Sequence, residues 1–193
     1  MKIYALVAAA ALLVTTTATA QHVNVGLKAG ANFYNVQNKP GPEYDGKTGF
    51  HAGLLGHIHL APQLALQPEI VYSSQGAKYT VNNVETKYDL DYINVPILFQ
   101  YMFDNGFRLQ AGPQVGFLLG AETEANGVEV DYKETNKIDF SIGAGAGYIH
   151  PPTGFGVDLR YNHGLSNINE NDAVKSYNRG FQLGVFYLFN HKN

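Results

Sequence analysis

The chain contains no cysteine and no tryptophan, and only 15% of its 193 residues are charged. Without Cys there are no disulfides, no thiolate metal ligands and no Cys nucleophile, and no acylated cysteine can tether the exported chain as a lipoprotein. Long apolar runs are scarce too. Past the first residues, nothing approaches the roughly 20 apolar residues that a membrane-crossing helix needs. Basic charge is not in excess: the formal net charge is −3, which argues against nucleic acid as a partner, since that partner calls for a basic face. What is plentiful is glycine and aromatic residues, with 21 Gly, 13 Tyr and 11 Phe. That combination favours strands with close backbone contacts and aromatic belts.

The N-terminus carries Lys2, then the apolar run IYALVAAAALLV, then a threonine-rich stretch ending Ala18-Thr19-Ala20. This charged, apolar, small-x-small order predicts a secretory signal peptide over residues 1–20, with cleavage before Gln21, and one mature domain over 21–193.

Along the mature chain, apolar and polar residues alternate with the period of a strand. His22 to Val36 places Val23, Val25, Leu27, Ala29, Ala31 and Phe33 on one face and Asn24, Lys28 and Asn32 on the other. The same pattern recurs in GFHAGLLGHIHL, FRLQAGPQVGFLLG, KIDFSIGAGAGYI, FGVDLRYN and RGFQLGVFYLF. Two further strands, LALQPEIVYSSQG and YINVPILFQYMF, contain Pro68 and Pro96, which cannot donate to a ladder. Eight strands result.

Their connections alternate in length. Long polar segments are expected at Gln37 to Thr48, Lys78 to Tyr88, Ala121 to Asn136 and Gly164 to Asn178. Short turns are expected at Ala61-Pro62-Gln63, Asp104-Asn105-Gly106 and Pro151-Pro152-Thr153. Short turns at one end and long loops at the other are the signature of an all-β, eight-stranded antiparallel up-and-down transmembrane β-barrel. Such a barrel faces lipid with its apolar side and must close, because an open edge cannot be hydrated in a membrane. Lys28, Glu69, Arg108, Asp139, Asp158 and Arg160 then turn inward among glycines, where six charges can neutralise one another as a structural network. A soluble periplasmic lipocalin-like ligand-binding barrel is the alternative fold. It would keep its apolar residues inside and has no reason to segregate loop lengths by end.

In order and spacing, VGLKAGANF, LALQPEIVYSSQGAKY, DYINVPILFQYMF, AGPQVGFLLG, FSIGAGAGY and the closing GVFYLF resemble the PorT-like outer-membrane β-barrel family over almost the whole mature chain. The resemblance implies an eight-stranded barrel in the outer membrane of a Gram-negative envelope, and no single activity. The aromatic ending looks like the C-terminal strand by which the barrel-assembly machinery recognises its clients, although Phe189 is followed by Asn190-His191-Lys192-Asn193 instead of being terminal.

Candidate chemistry is sparse. His57 and His59 point the same way along a strand, with His51 nearby, as paired imidazole metal ligands would, but no carboxylate in that strand completes a site. His163 and Ser166 near the end of strand seven and Asp139 near the end of strand six are the residue types of a hydrolytic triad, without any motif around Ser166. The pairs Glu122 with Glu124 and Asp89 with Asp91 read as solvated acidic loops. GAGAG at 143–147 lacks the helix and Lys-Ser/Thr of a phosphate loop, so it reads as a strand with a small inner face. No catalytic residue, metal site or cofactor is expected. The expectation is a monomeric outer-membrane barrel acting as a structural, surface or envelope-interaction scaffold, with outer-membrane lipids, the assembly machinery and an envelope protein as partners. An accessory component of an envelope protein-secretion machine is the alternative function.

Overall fold

Burial alternates residue by residue along most of the chain, and that alternation organises the fold. The computed structural model describes residues 23–41, 44–81, 84–125, 128–131, 135–170 and 174–189. Residues 1–20, where the signal peptide is expected, and Asn190 to Asn193 lie outside the described residues. Nine strands follow one another: β1 (Val23–Lys39), β2 (Asp45–Ala61), β3 (Leu64–Val81), β4 (Val84–Met102), β5 (Phe107–Ala125), β6 (Val128–Asp131), β7 (Ile138–Ile149), β8 (Phe155–Gly164) and β9 (Lys175–Leu188). All pairings are antiparallel. β1 pairs with both β2 and β9, and β4 with both β3 and β5, so eight strands return on themselves as a closed barrel. The ninth, β6, pairs with the far end of β5, beyond the point where β7 begins.

The three short turns fall together at one end, here the lower end. At the upper end the strands run on through much of what the sequence reads as loops. The expected loop Lys78 to Tyr88 is instead a tight hairpin whose ladder continues to Val81 opposite Val84, and the expected loop Ala121 to Asn136 contains β6. Once a strand rises past the membrane both its faces are wet, so no apolar alternation marks it. The two proline-bearing segments are strands, and their pairing lapses beside the prolines, between Pro68 opposite Ile97 and Val71 opposite Asn94, and between Pro96 opposite Gln114 and Phe99 opposite Ala111. A residue without an N–H cannot hold a ladder together at that point.

The outer wall is apolar. Leu27, Leu54, Ile70, Leu109, Ile142 and Leu159 are exposed, whereas Lys28, Glu69, Arg108, Asp158 and Arg160 are buried. This is the reverse of a soluble ligand-binding barrel, which excludes that alternative. Aromatic residues gather in two bands. The lower band has Tyr101 against Phe103 at 5.0 Å, Phe155 against Tyr187 at 4.6 Å and Tyr187 against Phe189 at 5.3 Å between ring centroids. The upper has Phe50 against Tyr72 at 5.4 Å and Tyr161 against Phe181 at 4.9 Å. Along β5 the bands are ten residues apart, from Phe107 to Phe117, about 25 Å after allowing for strand tilt, which is the height of a lipid-facing belt.

Candidate functional site

The middle of the lumen is built by a cross-strand rule: an inward polar side chain on β8 meets a glycine on β7. Asp158 is opposite Gly147, Arg160 opposite Gly145 and Asn162 opposite Gly143, while on the other side Asp158 faces Gly184 of β9. The glycines supply the volume that the charged side chains fill. A Cβ on Gly147 would sit 3.1 Å from Arg108 Nε and 3.2 Å from Asp158 Cβ.

Glu69 is the hub. Arg160 donates to it twice, Nη1 to Oε2 at 3.0 Å and Nη2 to Oε1 at 2.7 Å, and Gln67 Nε2 donates to Oε1 at 2.6 Å. Lys28 Nζ donates to Asp158 Oδ1 at 3.0 Å and lies 3.8 Å from Glu69 Oε1. Arg108 enters from below. Its Nη1 donates to Gln67 Oε1 at 3.3 Å, and its guanidinium carbon stands 4.0 Å from the centroid of the Phe186 ring. The structure thus brings together five of the six inward charges, three cationic and two anionic. Asp139 stands apart, six residues up β7 from Gly145 and about 20 Å along the strand. There it accepts a hydrogen bond from Ser166 Oγ at 2.6 Å.

Uncharged amides extend the network upward. Asn32 Oδ1 accepts from His51 Nδ1 at 2.8 Å and from Gln182 Nε2 at 3.0 Å, and Asn162 Nδ2 donates to Gln182 Oε1 at 3.0 Å and to Tyr34 OH at 2.7 Å. Apolar layers close both ends: Leu55, Ile149, Phe186 and Leu188 below, and Val36, Ala77, Leu90, Tyr92 and Ile168 above. Sequence reading missed these layers because inward apolar residues near strand ends break the alternation and look like noise. Phe186, lying between the outward Val185 and Tyr187 in VFYLF, is the clearest case.

The other sequence candidates separate. Ser166 meets Asp139 directly, but His163 is exposed on the outer wall, with Nδ1 3.4 Å from Tyr161 OH, so this imidazole is not placed to take a proton from Ser166. His57 and His59 pack edge to face at 4.6 Å, and His51 is committed to Asn32. Among the described residues, no group of three or more His, Asp or Glu is arranged to hold a metal ion.

The upper rim has two dissimilar sides. On the β4 to β6 side, Glu85, Asp89, Asp91, Glu122, Glu124, Glu129 and Asp131 crowd together, with Glu124 directly opposite Glu129 and Glu122 opposite Asp131. Lys87 Nζ donates to Glu124 Oε2 at 3.0 Å, and that acceptor raises the lysine's pKa above its ordinary value. Lys47 pairs with Asp89. β6 is exposed at all four residues, with Val128 63% and Val130 60% exposed, and its edge away from β5 carries no strand among the described residues. Between the two sides the barrel mouth holds a cleft of about 230 Å³ lined by Tyr44, Tyr79, Tyr88, Asn38 and Ser176.

Residues 19–170 match the family described as outer membrane protein beta-barrel domain. Among solved structures, the chain is similar to Neisserial surface protein A, NspA, at 15% identity, covering 87% of this chain and 99% of that one with a TM-score of 0.59. It is also similar to Ail, the attachment invasion locus protein of Yersinia pestis, at 16% identity, 86% and 98% coverage and a TM-score of 0.54. At these identities the likeness is one of fold. No curated protein matches the sequence.

Proposed function

Because this chain belongs to the outer membrane protein beta-barrel domain family, and so is an integral barrel of the cell outer membrane with a surface or envelope role, we propose that it is a non-catalytic stalk presenting the β4 to β6 extension as an interaction surface. The observation that carries this reading is β6: a short strand whose outer edge carries no strand among the described residues, exposed on both faces and lifted clear of the lipid belt. A free edge offers unpaired backbone donors and acceptors to an incoming extended segment, and Val128 and Val130 offer apolar contact beside it. The five lumen charges are struts in this reading. They hold the stalk rigid and take no part in chemistry. The direct bond from Ser166 to Asp139, with His163 on the outer wall, supports the non-enzymatic assignment. The ordered strand motifs support a place among PorT-like barrels, and the outward aromatic residues of β9 support monomeric insertion by the assembly machinery.

The experiment is co-purification of envelope proteins with the intact barrel and with a variant carrying Val130→Asp and Glu129→Lys. Loss of the co-purifying protein, with the variant still folded by heat-modifiable gel mobility, is expected. A partner that survives this variant and is lost on substituting the short turns would place the interaction at the opposite end and reject β6.

A further inference from the structure

Among the described residues, the charges in the middle of the lumen do not balance. Lys28, Arg108 and Arg160 are buried there with only Glu69 and Asp158 to oppose them, since Asp139 stands far up β7. Both carboxylates are taken. Arg160 holds Glu69 through both Nη groups, and Lys28 bonds Asp158 and lies 3.8 Å from Glu69. Arg108 is the cation left over. It is 1% exposed, and its contacts are a neutral amide oxygen, Gln67 Oε1, and the face of Phe186. Its Nε and Nη2, which share one edge of the guanidinium, have no hydrogen-bond partner among the described residues. That edge is a fork of two N–H groups, the arrangement with which arginine grips an anion.

A ring of amides fixes this arginine. Gln67 Oε1 accepts from Arg108 Nη1 and, at 2.9 Å, from Gln100 Nε2, which also donates to Gln110 Oε1 at 3.1 Å. Gln110 is two residues from Arg108 on the same inward face of β5, which closes the ring. Its side chain is 3% exposed and its Nε2 is likewise unpartnered. Two acceptors of the same layer, Gln100 Oε1 and Asp158 Oδ2, are unpartnered too. Water bridging these atoms would satisfy hydrogen bonds and leave the excess positive charge standing, and a buried charge without an opposite one is costlier than any unmade hydrogen bond. Gly147 is directly opposite Arg108, and even a Cβ there would sit 3.1 Å from Arg108 Nε, so on that side the fork has room for a single atom. We propose that the lumen binds a small monovalent anion of the halide class, chloride in the cell, on the Nε and Nη2 edge of Arg108 with Gln110 Nε2 as the third donor. A phosphate or carboxylate is too large for this place. Leu55, Ile149, Phe186 and Leu188 seal the lumen below, so the ion is taken up as the barrel closes. It neutralises the interior of the stalk and is independent of the partner proposed at β6.

The test refolds the whole barrel in sodium bromide, crystallises it and locates the ion by its anomalous scattering. One bromide is expected within hydrogen-bond reach of Arg108 Nε and Nη2, and none in Arg108→Met. In parallel, urea unfolding is followed in mixtures of sodium chloride and sodium gluconate at constant ionic strength. The ratio of folded to unfolded barrel is expected to rise about tenfold for each tenfold increase in chloride above its dissociation constant, as one bound ion requires, and Arg108→Met to lose that dependence. If Arg108→Met fails to give the heat-modifiable folded band, Gln110→Leu, which keeps the fork and removes the third donor, is expected to lower the bromide occupancy and shrink the chloride effect. Water at the fork with no anomalous signal, bromide bound only elsewhere, or stability indifferent to chloride overturns the proposal. An unchanged bromide occupancy in Gln110→Leu overturns the part given to the amide.

Discussion

The lower and upper parts of β5 are one continuous strand in two different solvents. From Phe107 to Gln114 every outward residue is exposed and every inward one buried, whereas from Leu118 to Ala125 the distinction dissolves. β4 repeats this, with strict alternation around Leu98 to Tyr101 and half-burial on both faces from Lys87 to Asp89. Lipid below demands one apolar face and a self-sufficient lumen; water above accepts either face. A substitution should therefore be judged by the solvent its side chain meets as well as by its exposure.

The largest effect is expected where lipid-level burial leaves no alternative partner. Glu69→Ala would leave Arg160 facing an emptied site, since Glu69 accepts hydrogen bonds from both of its Nη groups. Breaking a buried pair from one side costs about 3–5 kcal/mol. Urea unfolding of the barrel in lipid vesicles reads this as a lowered midpoint. Adding Arg160→Met to the same chain should recover part of the loss, because the uncompensated charge goes with it. A double variant as unstable as the sum of the two singles would mean that Glu69 and Arg160 do not act as a pair.

Next comes the outer wall. Leu159 is 51% exposed and Val130 is 60% exposed, so by accessibility alone they are equivalent. Leu159 lies within the aromatic bands and Val130 above them. Leu159→Arg is expected to cost about 2–4 kcal/mol in bilayers, and Val130→Arg to stay within about 0.5 kcal/mol. Equal costs at the two sites would abolish the distinction between the halves.

The same division explains what could be read from the sequence. The eight barrel strands, their outward faces and the inward identity of Lys28, Glu69, Arg108, Asp158 and Arg160 were legible, because lipid imposes a period of two that survives in the residues themselves. The partners within the lumen were not. Glu69 and Arg160 are distant in sequence, and only barrel closure brings β3 against β8 across the interior. Asp139 shared their face but not their height, a coordinate that alternation does not encode. The tight hairpin at Val81 and Val84 and the strand β6 were hidden for a further reason: a ladder wet on both sides needs no hydrophobic code, so KYTV, VETKY and VEVD read as loop.

The smallest effect tests whether the upper half is held by charge at all. Lys87 donates to Glu124 in a crowd of carboxylates, and the hydrogen bond to a negative acceptor favours the protonated amine over the neutral one, which raises the lysine's pKa. A group whose pKa is raised by folding contributes its stability in full below the ordinary lysine range, and loses it as pH climbs through the raised value. Both side chains are only half-buried and reach solvent, so the contribution is small and screened by salt. Lys87→Gln should therefore lower the unfolding midpoint slightly at neutral pH and low salt, less than any substitution above. That difference should vanish in concentrated salt or in strongly alkaline medium, where the wild-type lysine has lost its charge. A difference that persists under both conditions would mean that Lys87 acts by packing its aliphatic stem on β5, and that the extension is held by contact and not by charge.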